Sequence, residues 1–458
     1  MTLAKINIPP GVVADRADYS AGPVWTAGDK VRFQQGLPEK WGGWQKETGW
    51  SFNGQPNQML IWHDLSGNDI IAVGTSSKLY VVFNDLLYDI TPVAQTVNPM
   101  GDPPFSMSSG SATVVVTDSA RNPNVGDFVV FSGAAAAAGI TIDGEYEVQT
   151  VPGATTYTIT HTAVATSTAT GGGASVVATY LLPTGSVTIT GFGWGAGGYG
   201  ASGGGWGSAA TTGVSLEPPL WSLDNWGEDL VATKRQGGTY IWDASVGTGT
   251  RAAIVTNAPA TTKFSMVSTP DRHLVCLGAH DGVASDPMLV AWSDQEVTTT
   301  WAPATSNTAG SQRLGVGSRI VAGLRIRDQI LLWTDDALYS MEYLGPPYTF
   351  GFRLLATGCG AISQNSVIEE NGVVYWMTES NFHVYDGAVR ALPCPVHDYV
   401  YEDINDQKEP FIATGRNQRF SELLWFYTSS AASVNDRFVG LNYDEGTWQT
   451  GTLDRVAW

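Results

Sequence analysis

Phosphate, metal and nucleophile chemistry each require particular residues at particular spacings, and this 458-residue chain offers a candidate for each. The run Gly191-Phe192-Gly193-Trp194-Gly195-Ala196-Gly197-Gly198-Tyr199-Gly200, continued by Gly203-Gly204-Gly205-Trp206-Gly207, has the glycine density of a phosphate loop. A phosphate loop also needs a Lys and a hydroxyl to reach phosphates and Mg²⁺, or a helix N-terminus opening behind it, and neither follows here. Glycine at that density packs no core, so the run predicts a projecting surface loop or arm. Phe192, Trp194, Tyr199 and Trp206 would be its exposed interaction residues. The acidic stretch Tyr401-Glu402-Asp403-Ile404-Asn405-Asp406 lacks the alternating Asp start and closing Glu of a calcium loop, and reads as a solvated blade edge. The six His residues include no zinc spacing, and no nucleophile elbow occurs. Cys276, Cys359 and Cys394 are far apart with no C-x-x-C, so they read as three buried apolar thiols. No catalytic residue, cofactor or metal is expected.

One enzymatic reading needs separate treatment. Trp292-Ser293-Asp294 running to Thr300-Trp301, and Asn442-Tyr443-Asp444-Glu445-Gly446-Thr447-Trp448, resemble the Asp-box of sialidases. That box stabilises a turn remote from catalysis, so a match would indicate blade architecture only. A sialidase also clamps a carboxylate with arginines, and Arg325, Arg327 and Arg353 stand at no such spacing.

The elements that would position any such group are strands. Charged residues make up only 15% of the chain, while Gly, Trp and Tyr are abundant. That mix disfavours long amphipathic helices and suits short strands joined by tight turns. A first cluster runs from 57 to 93: Gln58–His63, Asp69–Gly74, Lys78–Phe83 and Leu86–Ile90, separated by Ser66-Gly67-Asn68, Ser76-Ser77 and Asn84-Asp85. The pattern of strand, turn, apolar strand, turn and aromatic strand returns near 220–243, 263–292, 319–341, 361–388 and 411–450. Its spacing of roughly 40–55 residues is that of propeller blades. We therefore expect an all-β fold, a β-propeller of about six blades with an inserted small β-barrel or β-sandwich domain. The expected division is 1–95 for the N-terminal segment and first blade, 96–216 for the insert with its Gly-rich arm, and 217–458 for the remaining blades. Ring closure is expected to use a strand from Lys30-Val31-Arg32-Phe33.

Charge narrows the partners. The formal charge is −19, from 43 acidic and 24 basic residues, with no basic run. A protein that grips nucleic acid needs a basic footprint, and anionic membranes are disfavoured for the same reason. The N-terminus lacks the apolar stretch of an export signal, which predicts synthesis in a cytoplasm.

Against this background a resemblance becomes informative. The run from Gly28-Asp29-Lys30-Val31-Arg32-Phe33 through Trp41-Gly42-Gly43-Trp44 resembles the opening of phage tail proteins. Ile320 to Tyr343, then Gly358-Cys359-Gly360-Ala361 and Val373-Val374-Tyr375-Trp376-Met377, are similar to the central part of podoviral tail nozzle proteins, also called tail hub or packaged-DNA stabilisation proteins. Val125–Gly133 through Tyr157-Thr158-Ile159-Thr160 resembles a small β module common in phage virion proteins. Such proteins often continue past the equivalent of Asp444–Trp448, so the last blade here is expected to be incomplete or completed by the N-terminus.

The resemblance implies a virion tail protein assembled from copies of itself as a homohexamer. It would sit below portal and adaptor proteins, dock tail fibre or spike proteins, and carry double-stranded DNA as a non-specific passenger. It transfers no site residues. Acidity fits that role, because a carboxylate-lined conduit repels duplex DNA, which carries about one negative charge per 1.7 Å, and lets it slide. The alternatives are a receptor- or glycan-binding propeller that meets the host cell surface at the tail tip, and a glycosidase.

Overall fold

The computed structural model describes residues 8–15, 22–43, 49–121, 123–182, 187–189, 214–217, 219–269, 271–327 and 329–458; side chains of 187–189 and 214–217 are not described. Among the described residues the fold is all-β, built from small antiparallel sheets in a propeller-like arrangement.

Six four-stranded sheets have strands ordered strictly as they occur in the chain. Blade A is Pro56–His63, Asp69–Thr75, Leu79–Phe83 and Leu86–Asp89. Blade B is Trp221–Trp226, Asp229–Lys234, Thr239–Trp242 and Ala253–Ile254. Blade C is Phe264–Val267, Leu274–Leu277, Leu289–Trp292 and Gly310–Arg313. Blade D is Ile320–Ile326, Gln329–Thr334, Ala337–Gly345 and Thr349–Thr357. Blade E is Val367–Glu370, Val373–Met377, Phe382–Tyr385 and Val389–Leu392. Blade F is Ala413–Asn417, Glu422–Tyr427, Arg437–Asn442 and Thr447–Thr452. Two-residue turns make this order possible. Asn84-Asp85 and Asn371-Gly372 both sit at positive φ, the conformation that lets a two-residue hairpin follow the right-handed twist of its strands.

Each blade is apolar on both faces, so it is stable only when stacked between neighbours. Separate buried clusters join A to B, B to C, C to D, D to E and E to F. Tryptophan recurs at these joints because it fills a wide gap and still offers one donor to the adjacent backbone. Trp221 of blade B donates to the Thr75 carbonyl of blade A at 3.0 Å. Trp425 of blade F donates to the Ser366 carbonyl that leads into blade E at 3.0 Å. Between D and E, Trp333 and Trp376 meet edge-on with ring centroids 5.6 Å apart.

The joint between F and A is different. Blade F carries a cluster of Leu424, Phe426 and Phe438 that is covered by Trp41, Leu453 and Trp458 and includes no residue of blade A. The Trp41 and Phe438 rings stack at 4.5 Å. Lys30–Phe33 therefore does not close the ring by joining a blade. Val31–Gln34 pairs with Leu37–Lys40 as a hairpin of its own, which lies against blade F. Arg32 forms a buried ion pair with Glu422 at 2.8 Å, and its guanidinium lies over the Phe420 ring at 3.6 Å. Blade F has four strands of its own, which corrects the expectation of an incomplete last blade.

Between blades A and B, residues 93–181 form two further sheets. One orders Gly144–Glu147, Phe128–Ser132, Val177–Leu181 and Val93–Val97; the other orders Thr150–Gly153, Thr156–Thr160, Thr113–Thr117, Phe105–Met107 and Ala169–Gly171. They enclose a core around Phe105, Phe131, Tyr157 and Ile159. This unit is pinned to blade A by Lys78, which is 2% exposed. Lys78 pairs with Asp89 at 2.9 Å and with Glu145 of the unit, and lies over the Phe128 ring at 4.3 Å. After the unit, Val187–Ile189 and Val214–Glu217 pair as a two-stranded ladder. Phe192, Trp194, Tyr199 and Trp206 of the Gly-rich run lie outside the described residues.

Candidate functional site

The first strands of the six four-stranded sheets line one cavity of about 380 Å³, to which they contribute Leu60, Asp224, Met266, Arg325, Val367 and Thr414 in turn. Ala457 and Trp458 complete its wall at the F–A joint, where the Trp458 indole donates to the Arg416 carbonyl at 3.0 Å. A Cβ on Gly415 would come within 2.5 Å of that ring, so the glycine is what admits the indole.

The cavity is blind. At one end Gln364, which leads into blade E, accepts from Arg235 of the blade B hairpin at 3.2 Å and donates to the Trp221 carbonyl at 3.4 Å. Blades B and E are not neighbours, so these bonds cross the axis and close it. Exposure along the first strand of blade A rises from 7% at Asn57 to 37% at Met59 and 56% at Ile61, which puts the mouth at the other end. Near that mouth Arg325 of blade D spans blade C. It donates to the Val267 carbonyl at 2.6 Å and to Asp224 of blade B at 2.9 Å. Asp224 also accepts from the Val267 amide at 2.7 Å. Burial raises the Asp224 carboxyl above its ordinary range, opposed by Arg325.

Of the arginines weighed as a carboxylate clamp, Arg325 is committed to Asp224 inside the cavity. Arg353 lies on the outermost strand of blade D, paired with Glu342 at 3.7 Å, and Arg327 packs over the Gly372 turn of blade E. The structure does not bring the three together.

The two Asp-box segments act as turn clamps. Asp294 accepts from the Gln295 amide at 2.9 Å and from the Thr308 amide and hydroxyl at 2.8 Å each. Asn442 accepts from the amides of Asp444 and Glu445 at 3.1 and 2.9 Å. Glu402 to Asp406 is not a blade edge. It follows the short helix α1, His397–Tyr401, and Asn405 caps the next turn by accepting from the Gln407 amide. Asp403 pairs with Arg437 at 2.8 Å. Among the described residues no group of His, Cys, Asp and Glu is arranged to hold a metal.

Cys276 and Cys359 are buried and Cys394 is half-buried; burial pushes each thiol up, to about 11, 11 and 12. At those values the thiolate is scarce and the groups are poor nucleophiles.

Sequence reasoning missed one constellation with catalytic geometry. Fully buried His273 meets Asp271 through Nδ1 at 2.8 Å and the Thr308 hydroxyl through Nε2 at 3.0 Å. The order carboxylate, imidazole, hydroxyl is that of a nucleophile triad. The Thr308 oxygen, however, also accepts from the Gln295 amide at 2.9 Å and donates to Asp294. With those partners it has no free direction toward a substrate, and the chain of bonds serves to lock the Asp294 turn onto blade C. No spacing in the sequence announces it, because Thr308 lies 35 positions from His273.

A second missed group is Glu409, whose carboxyl is pushed up to about 7 by burial and then by Glu379 and Asp406. Such a value suits a general acid, but the neighbouring pocket beside Pro410 and Phe411 has a volume of only about 30 Å³, room for one water. The shift bears on stability instead. A carboxyl whose folded value lies above its unfolded value gives stability that is full below the unfolded range, near 4.5, and is lost as pH rises through 7. Glu409→Gln is therefore expected to raise the thermal midpoint at pH 8 and leave it nearly unchanged at pH 4, as read by calorimetry at the two pH values.

No family model matches this chain, and no curated protein matches it. Among solved structures it is similar to a phage phi92 endosialidase at 10% identity and TM-score 0.25, covering 82% of this chain and 52% of that one. It is similar to AztD of Citrobacter koseri at 10% identity and TM-score 0.36, covering 85% and 82% of the respective chains. It is also similar to BamB of Moraxella catarrhalis at 10% identity and TM-score 0.27, covering 52% and 73%. This chain thus spans about half the length of the endosialidase.

Proposed function

We propose that this chain is a structural, non-enzymatic subunit of a bacteriophage tail, a nozzle or hub protein whose copies form a ring below portal and adaptor. In this reading it is a six-bladed propeller with a small inserted β domain over 93–181, and the ring retains and conducts genomic DNA and docks fibres or spikes. The observation that carries the reading is where the strings resembling tail nozzle proteins fall. Ile320–Tyr343 runs through the three inner strands of blade D, Val373–Met377 is the second strand of blade E, and Gly28–Trp41 contains the hairpin that lies against blade F. These are framework elements, so the likeness is one of architecture and assembly rather than of a site.

The blind cavity sharpens the role. The cavity holds only about 380 Å³ and is closed at one end. No duplex threads a single propeller whose axis is crossed by Gln364, so a conduit must run between copies. A net charge of −19 per chain would then keep the passenger from adhering.

Native mass measurement and electron microscopy of the purified chain test this. The expected result is a closed ring of about six copies with an acidic lumen wide enough for duplex DNA. A stable monomer, or a lumen lined by Lys and Arg, overturns it.

A further inference from the structure

The tail reading assigns no ligand to the central cavity. We propose that this cavity is a binding site for a neutral sugar unit, either a free monosaccharide or the terminal residue of a glycan chain.

The first argument is enclosure. Asn57 is 7% exposed, and its Nδ2 donates to the Pro219 carbonyl at 2.8 Å. Together with the bonds of Gln364 to Arg235 and to the Trp221 carbonyl, that bond closes one end of the cavity, so a ligand enters from the mouth. A pocket closed at one end and walled on its sides buries most of the surface of a small ligand.

Charge is the second argument. In a chain of net charge −19 the side chains of the cavity wall include one carboxylate and one guanidinium, Asp224 and Arg325, and they neutralise each other. Both carboxylate oxygens of Asp224 are already occupied, by Arg325 and by the amides of Asn225 and Val267. These side chains therefore leave no surplus charge of either sign for an ionic ligand to meet.

The third argument is the kind of polar group that remains. Gln58 and Asn365 line the cavity with primary amides, and Ser222 adds a hydroxyl. An amide presents a donor and an acceptor side by side, as each sugar hydroxyl does, so vicinal hydroxyls match such a wall. Met59, Phe264 and Met266 give the apolar patch that the C–H face of a pyranose needs. Size agrees: at about 30 Å³ per water, 380 Å³ takes about a dozen non-hydrogen atoms, the content of one hexose.

The test uses the full chain and saturation-transfer NMR with the neutral methyl glycosides of glucose, galactose, mannose and N-acetylglucosamine. N-acetylneuraminic acid serves as the anionic comparator. Binding of at least one neutral glycoside in the millimolar range is expected. Gln58→Leu and Asn365→Leu should each weaken it by about tenfold while leaving the thermal midpoint unchanged. A second arm offers the responding sugar at the end of a longer saccharide. Transfer confined to its terminal residue identifies a glycan end as the ligand, and transfer to the free glycoside alone identifies a small sugar; both support the proposal. No transfer from any neutral glycoside, stronger transfer from the anionic sugar, or transfer unaltered in both variants overturns it. So does a crystal soaked with the glycosides whose cavity holds only water. The ring assembly can fail while this site stands, and the reverse, because the two are read by different measurements.

Discussion

Replacing Glu422 with alanine is expected to destabilise the chain by about 3–5 kcal/mol, because it strands a buried guanidinium. Glu422 is 1% exposed and Arg32 6%. Glu422 accepts from Arg32 through both oxygens, at 2.8 and 3.2 Å, and also from Gln449 at 2.9 Å and Asn417 at 2.8 Å. Gln449 in turn accepts from the Trp41 indole at 3.0 Å, which ties the ion pair to the ring that covers blade F. Removing the carboxylate therefore loosens the N-terminal hairpin as well as the pair. Urea unfolding should show a lower midpoint, and hydrogen exchange should speed up over Val31–Lys40 before the rest of the chain. The double variant Arg32→Met with Glu422→Leu should be more stable than Glu422→Ala alone, since it leaves no charge unpaired. Equal stability of the two would mean that the ion pair is solvated and the hairpin is held by Trp41 alone.

The second large effect is expected at Trp425. Its side chain is fully buried, its ring centroid lies 5.1 Å from Phe382 of blade E, and its indole donates to Ser366. Trp425→Ala opens a cavity between blades E and F and is expected to cost about 3–5 kcal/mol. Trp425→Phe keeps most of the packing and loses the bond to the Ser366 carbonyl, so about 1–2 kcal/mol is expected. Urea midpoints read both. If the two variants matched, ring packing would contribute little, and the account of tryptophan at the blade joints would be wrong.

These residues also show which parts of the molecule were legible in the sequence. Inner strands such as Asp69–Thr75, Leu79–Phe83 and Gln329–Thr334 are buried on both faces, so they stand out as apolar runs between turn residues. The outermost strands, Ala253–Ile254 and Gly310–Arg313, are largely exposed, and their residues give no alternation to read. The hairpin at Val31–Lys40 was visible as a strand near Lys30, but its pairing was not. Adding a strand to blade F and lying against it require the same apolar residues, and only the backbone ladder distinguishes them.

The cavity was illegible for another reason. Asp224 and Arg325 are 101 positions apart, and nothing local marks either as the other's partner. Arg325 had been weighed as one of three clamping arginines, and only the stacking of blades shows that its charge is already satisfied.

The two strands that bound the 93–181 unit have a mechanical meaning. Val93–Val97 leaves blade A and Val177–Leu181 returns toward blade B, and the two lie side by side in one ladder, with Val97 opposite Ala178 and Gln95 opposite Tyr180. Departure and return thus lie side by side as members of the unit's own sheet. Tension on the unit runs along both backbones in parallel and puts no shear on the bonds between them. The Lys78 contact with Glu145 ties the unit to blade A at a further point. Force on the unit would therefore reach blades A and B through one paired attachment.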